Sequence, residues 1–479
     1  MVTAQKITAN TSFFMLSLVL QKVLSFVYFT ILARTLGAEA VGQYFFAISF
    51  ATMFSVLIDL GLSPLLIREV AQDQDGGQRW FRQVFTLKII LAVLTALFLL
   101  LLNHILFYSD AVRNLIYVSG LIVVIDSFTL LFYAYIRGRQ SLKFESLGTM
   151  IFQIIVLTVG LLTLRVTDSV AVFLLVLLVA SLFNFIFSLA ILQVRFKVVF
   201  GLLWDQAFIR NIVYIVWPFA LSAVFAKIYA YIDTFFLKVF LGDSQVGHYS
   251  VAYKITFALQ FIPLAFVAAL YPAFSHYFRQ SQEELNKTFF KSFNYLVFIS
   301  LPIAIGIIAL APEIISQVYT DEYRFSIWPL QVLVASIPFL FTNFCLASLL
   351  NATNRQATNT RNLGWTMLLN IILNLALIPR LGVWGASLAS AVSTVFLFSL
   401  NFIGVATVIR FSRREFKPLL GSLLSVLLML LGVLYFKNFW PWYGAALGGF
   451  LTYTLMMFIT GTLSRRDLAF IRQAWTKIQ

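Results

Sequence analysis

The sequence predicts an all-α polytopic membrane protein of about fourteen transmembrane helices: two six-helix lobes related by a pseudo-two-fold axis along the membrane normal, followed by two further helices. Three observations lead there. The composition is 61% hydrophobic and 11% charged, with a mean hydropathy of +0.92, whereas a soluble domain is only about half apolar. Apolar runs of about 20 residues recur from end to end between short polar turns, the length a helix needs to cross a bilayer; spanning strands would alternate over about 10 residues. Two turn motifs also recur at long, similar offsets.

The first expected span, 11–34, carries Lys22 within LVLQKVLSFVYF, and the second, 39–67, carries Asp59 and closes on IDLGLSPLLIREVA. Spans three to six follow at 82–106, 112–136 (with Asp126), 145–164 and 169–194. The segment 195–210, RFKVVFGLLWDQAFIR, mixes cations with Trp, Phe and Leu. It reads as an amphipathic helix lying on the anionic cytoplasmic leaflet, or as an ordinary connector. Spans seven to twelve are expected at 211–237, 246–275, 291–311, 325–350, 362–379 and 383–409, and the last two at 418–436 and 441–462, before a second amphipathic segment at 464–479. The domains are then an N-terminal lobe (1–194), a cytoplasmic connector (195–210), a C-terminal lobe (211–411) and two additional helices with an amphipathic tail (412–479).

The distribution of cations tests the count, because cytoplasmic loops carry the excess of Lys and Arg. Of 34 basic residues, 24 fall on the side of the N-terminus, 7 on the other, and Lys22, Lys227 and Lys254 lie inside spans. With an even number of spans, both termini are expected in the cytoplasm. The start MVTAQKITANTSFFML lacks a short apolar core with a small-residue cleavage site and reads as a lead-in to the first span.

The turn LGAEAVGQY (36–44) returns as LGDSQVGHY (241–249) at an offset of 205, and RQSLKFESLG (139–148) as RQATNTRNLG (355–364) at an offset of 216. Parallel six-span repeats about an axis along the membrane normal are an architecture of secondary transporters, with the substrate site between the repeats. Adding 205 to Lys22 gives position 227, which is also lysine, in SAVFAKIYAYID. The two lysines are expected to face a common cavity.

A charge at mid-membrane costs about 2.5–3.5 kcal/mol on insertion scales, so it needs a partner or an aqueous cavity. Six residues qualify: Lys22, Lys227, Lys254, Asp59, Asp126 and Asp233. They can cancel as three ion pairs, or the lysines can form an anion-receptive site, a compact ammonium binding phosphate without bidentate geometry. Lys254, near a span end, can also snorkel to the interface. Asp126 and Asp233 can pair with a lysine and release it on protonation, or hold a sodium ion. Asp59 reads as structural, paired with Arg68. Six prolines, Pro218, Pro263, Pro272, Pro302, Pro329 and Pro338, interrupt the second lobe, each as a kink or a hinge.

The turn LGxxxVGxY, the ending IDLGLSPLLIREVA (58–71), Asp233 shortly before its Leu-Gly, and NLALIPRLGVWGASLAS (374–390) resemble the Wzx-type oligosaccharide and polysaccharide flippases of the multidrug/oligosaccharidyl-lipid/polysaccharide (MOP) exporter superfamily. The resemblance covers nearly the whole chain. It implies a two-lobed fold that moves a polyprenyl-pyrophosphate-linked glycan from the cytoplasmic to the outer leaflet by alternating access, for surface polysaccharide or O-antigen synthesis. Its partners would be that glycolipid, membrane lipids, and polysaccharide polymerase or ligase machinery. Lys22, Lys227 and Lys254 would receive the pyrophosphate and acidic sugars. The Gly-x-x-Gly-Ala turn at 382–386 is shared with drug exporters, so an ion-coupled drug or cation antiporter is the alternative.

Other classes find little support. The net charge of +15 resides mostly in loops between spans and speaks for topology rather than nucleic acid. A single cysteine, Cys345, allows no disulfide framework, and His104, His248 and His276 show no ligand spacing. No GxxxxGK[ST] phosphate loop occurs, and the outer loops, about 14 residues or shorter, leave no room for an enzyme's catalytic loop. A transporter without a cofactor is expected.

Overall fold

The computed structural model describes residues 4–73, 76–106, 108–411 and 413–462, in which all regular structure is helical. The helices are α1 (Ala4–Asp59), α2 (Leu62–Gln72), α3 (Gly77–Ile105), α4 (Asp110–Gly138), α5 (Leu142–Thr163), α6 (Val170–Val194), α7 (Gln206–Leu241), α8 (Asp243–Ala258), α9 (Phe261–Gln280), α10 (Gln282–Val318), α11 (Ile327–Ala335), α12 (Ile337–Ala352), α13 (Gln356–Leu381), α14 (Val383–Ala406), α15 (Lys417–Phe436) and α16 (Trp442–Ile459). Short 3₁₀ turns precede α11 and α15. Twelve described stretches are long and apolar enough to cross a membrane; the first, Leu16–Asp59, runs through a break at Gly37 and holds most of the first expected span and the longer part of the second. The 36-residue α7 lies at the seventh. Each of the fourteen expected spans thus has a helical counterpart. The tail expected at 464–479 lies outside the described residues.

Three expected spans are each built from two helices, and proline chemistry accounts for the breaks. Proline lacks an N–H and clashes with the carbonyl four residues earlier, so it fits the first turn of a helix, where the N–H needs no partner. The second span breaks at Leu60–Gly61 and restarts with Pro64 in the first turn of α2. The eighth breaks before α9, whose first turn holds Pro263. The tenth breaks at Ser336, before Pro338 in α12.

Of the two readings of 195–210, the surface helix is not what forms over its first eleven residues. Residues 195–205 are not helical, and α7 begins only at Gln206. The segment is an irregular strap laid over α3. Gln78 Nε2 donates to the Lys197 carbonyl (2.9 Å), Leu203 N–H donates to Thr86 Oγ1 (3.0 Å), and Arg79 pairs with Asp205 (3.4 Å). Phe200 packs edge-on against Phe81, Phe85 and Phe132, while Val199, Leu202 and Trp204 stay exposed. Side-chain donors and acceptors on α3 replace the ladder a helix would have supplied, and Lys197 takes a left-handed φ of 51°.

By contact the chain divides into two compact units, Met1–Lys254 with Leu363–Ala386, and Ile255–Asn362 with Ser387–Gln479. The lobes expected from the repeat group the helices by sequence instead; by contact, α7 packs against α1 within the first unit. In the second unit, α15 and α16 pack on each other and on α10 around Phe298, Met429, Val433 and Tyr453.

Candidate functional site

In the first unit the repeated turn shows what its glycines are for. Gly37 (φ 77°) and Gly242 (φ 86°) both take the left-handed conformation that lets a helix turn sharply without a Cβ clash. Five residues later, Gly42 and Gly247 make a reciprocal contact: a Cβ on Gly42 would overlap the Asp243 carbonyl oxygen, and one on Gly247 the Ala38 carbonyl oxygen. Ala38 and Asp243 are themselves 205 residues apart, so the two turns touch through equivalent atoms. Val41 and Val246 are fully buried beside them. The second motif pair is displaced. The left-handed residues ending α4 and α12 are Gln140 and Asn354, followed by equivalent bonds from Ser141 N to Ile136 O and from Arg355 N to Leu350 O. The backbone offset there is therefore 214, and the Arg-Gln identity at 216 is not a structural equivalence.

The turn contact sets α8 beside α1, and α8 carries Lys254. Its Nζ lies 5.2 Å from the Phe29 ring centroid and 5.6 Å from that of Phe45. It also feels the charge of Lys22, half-buried on α1. Lys227, half-buried on α7, points over Tyr231 at 5.7 Å. Among the described residues no carboxylate lies within ion-pair distance of Lys227 or Lys254. Cation–π contacts return about 0.5–2 kcal/mol each, less than the cost of dehydrating an ammonium. A mobile anion is the complement such an arrangement favours. Lys254, which the repeat did not single out, is thus within electrostatic range of Lys22.

The acids take separate roles. Asp233 on α7 is buried, accepting hydrogen bonds from the Tyr249 hydroxyl (2.7 Å) and from Asn374 Nδ2 (2.6 Å), which also donates to the Asn370 carbonyl. Tyr249 stands 6.0 Å from Tyr253, Tyr253 5.8 Å from Phe45, and Phe45 belongs to the Lys254 cage. Asp233 and Lys254 are thus joined by contiguous rings on α8 and α1. Asp126 on α4 lies beside Ser181 of α6 and makes no ion pair among the described residues. Asp59 pairs with Lys88 at 2.5 Å, not with Arg68, which bonds Glu69 instead. Arg68 is five residues beyond Ser63, the side chain that Asp59 holds, while Lys88 enters from α3.

Several polar groups escaped the sequence reading. Lys88 is fully buried, although its place near a span end made it look like a loop cation. Half-buried Arg137 and buried Glu145 form an ion pair joining α4 to α5. Asn362, Thr366, Asn370 and Asn374 run down one face of α13 at four-residue spacing, all buried. That periodicity was visible in the sequence as a polar stripe along an apolar helix. No cluster of three or more His, Cys, Asp or Glu suited to a metal occurs among the described residues.

Comparison with known proteins places this geometry. Residues 7–278, more than half of the chain, match a family model described as "Polysaccharide biosynthesis protein", and 218–376 match one described as "MatE". The probable low-salt glycan biosynthesis flippase Agl15 of Haloferax volcanii is 24% identical over 183 residues, a match spanning 38% of this chain and 38% of that protein. An uncharacterized membrane protein of Methanocaldococcus jannaschii is 24% identical, with 83% of each chain covered. Among solved structures, the lipid II flippase MurJ in an inward closed conformation superposes with a TM-score of 0.78 at 15% identity, covering 95% of this chain and 99% of that one. An inward-facing multidrug resistance MATE transporter of the MOP superfamily gives 0.66 at 16% identity, with 81% and 94% covered. These likenesses establish a shared fold.

Proposed function

The chain belongs to the polysaccharide biosynthesis protein family of the MOP superfamily, transporters rather than enzymes, and we propose that it flips a lipid-linked glycan across the cytoplasmic membrane by alternating access. The observation that carries the reading is the set of half-buried lysines. Lys227 and Lys254 face aromatic rings with no carboxylate at ion-pair distance among the described residues, and Lys254 lies within electrostatic range of Lys22. A polyprenyl-pyrophosphate sheds much of its hydration to cross, and fixed ammonium groups replace part of that shell. Aromatic faces beside them suit sugar rings.

Asp233 is the proposed coupling group, for a proton or a sodium ion, with Asp126 as a second. Tyr249 and Lys254 sit five residues apart on α8, so a shift of α8 on loading of Asp233 moves the Lys254 ammonium with it. The 24-to-7 cation split supports cytoplasmic termini, and the reciprocal turn contact supports two repeats, 1–194 and 211–411. Delivery to polysaccharide polymerase or ligase machinery on the outer side completes the pathway proposed. The MatE match over 218–376 favours the alternative of a drug or cation antiporter, whose cargo would have to share the site with the lysines.

The test is deletion of the gene followed by lipid extraction. The expected result is accumulation of a polyprenyl-pyrophosphate-linked glycan on the cytoplasmic leaflet. Unchanged lipid-linked sugars together with new drug sensitivity would overturn the reading.

A further inference from the structure

Helix α10 contains two interior prolines, Pro302 and Pro312. Each deletes the N–H that would bond the carbonyl four residues earlier, which frees the carbonyls of Phe298 and Ile308. In a lipid surrounding, a freed carbonyl must find another donor. Both do. The Tyr453 hydroxyl donates to Phe298 O at 2.9 Å, and Gln331 Nε2 donates to Ile308 O at 3.1 Å. Tyr453 is buried on α16 and stands 3.1 Å from Ser422 Oγ of α15, which is therefore placed to donate to it. Gln331 comes from α11.

The fit around Pro302 extends along the helix. Asn294 Nδ2 donates to the Glu415 carbonyl just before α15 (3.1 Å), Met429 of α15 lies against Gly306, and Lys437 pairs with Glu313 at 3.4 Å. Positions 294, 298, 306 and 313 follow helical spacing, so one face of α10 is fastened to the α15–α16 hairpin below, at and above the proline.

We propose that α10 carries two side-chain-capped hinges, and that the C-terminal hairpin is a working part of the second unit because Tyr453 closes one of them. A backbone amide cannot leave its carbonyl without unwinding a turn. A tyrosine or glutamine on another helix can separate and return while α10 stays helical. The hairpin, which lies outside both repeats, then positions α10 through Tyr453, and Gln331 does the same one face away. That the hinges serve transport rests on the flippase reading; that Tyr453 and Gln331 replace missing backbone bonds does not.

The experiment is a double-mutant cycle on the purified full-length chain in detergent, read by thermal unfolding. Y453F is expected to lower the unfolding midpoint in the native background and to have little effect beside P302A, because alanine in place of the proline supplies the N–H that Phe298 O lacks. Q331L with P312A should behave alike. Equal losses with and without the proline, at both sites, would overturn the capping assignment and leave packing as the cause. For the hinge, P302A/Y453F should accumulate and unfold like the native chain yet restore glycan export to a deletion strain at least tenfold less well. Full restoration would overturn the hinge. Should the deletion strain show no lipid-linked glycan defect, the flippase reading fails while the unfolding cycle still decides the capping.

Discussion

Alanine at Gly42 or Gly247 tests whether the two repeated turns are held together by backbone contact. A Cβ on Gly42 would lie 2.7 Å from the Asp243 carbonyl carbon and 2.9 Å from Gly247 N, and one on Gly247 would lie 2.7 Å from the Ala38 carbonyl carbon. Non-bonded carbons rest at about 3.5–4.0 Å, and the Asp243 and Ala38 carbonyl oxygens would lie closer still, so either alanine pushes the turns apart by at least about 1 Å. Separation on that scale forfeits a quarter to a half of the dispersion between the surfaces, and overpacking of this kind costs about 1–3 kcal/mol. Because the opposing atoms are backbone, no side chain can swing away, and the upper half of that range applies. The alanine recovers at most about 1 kcal/mol of helix propensity, leaving a net loss of about 2 kcal/mol for each variant. Once the first alanine has opened the contact, the second meets less resistance, so G42A/G247A should cost less than the sum of the singles. Gly120, in α4 with its nearest would-be neighbour 3.8 Å away, is the control: G120A should be neutral or slightly stabilising. The assay is thermal unfolding in detergent with the steady-state level in membranes. Loss-free G42A and G247A, or strict additivity, would refute the reciprocal contact.

Three further outcomes follow from the charged groups. Lys88→Met strands the Asp59 carboxylate, and breaking such a pair costs about 3 kcal/mol; a smaller loss in the D59N background, measured by unfolding, identifies the pair as the cause. Asp233→Asn keeps a hydrogen-bonding group at Tyr249 and Asn374 and should preserve protein level while abolishing the dependence of transport on an imposed proton or sodium gradient; unaltered gradient dependence would remove Asp233 from coupling. Lys22→Ala and Lys227→Ala should each abolish transport with normal insertion and accumulation, whereas loss of the protein in both would assign them to structure.

The bilayer made much of the fold legible. Within it every backbone group must be satisfied inside the chain, so apolar runs become helices, and positions such as Pro64, Pro263 and Pro338 mark where they restart. The sequence leaves the segment 195–210 open between a surface helix and a connector, because Trp204, Phe200 and the cations match an amphipathic helix in composition. Its path depends on Gln78 and Thr86 in α3, more than a hundred residues away, and no local pattern announces such partners. The lysines were found because charge in an apolar run is conspicuous. The asparagines on α13 were passed over because an uncharged amide is not, although their four-residue spacing carried the same message. Lys88 went unnoticed as a buried charge for a different reason: distance from a span end is a poor guide to burial when a second helix covers the site.

The reciprocal glycine contact also bears on how the chain is made. The first turn, at 37–42, is synthesised early, but its packing partner at 242–247 emerges 205 residues later. At about 5–20 residues per second, that delay is about 10–40 s. During it the surface around Ala38 and Gly42 has no mate. The first turn therefore waits for its partner, and the insertion machinery or lipid must cover that surface until the second turn arrives.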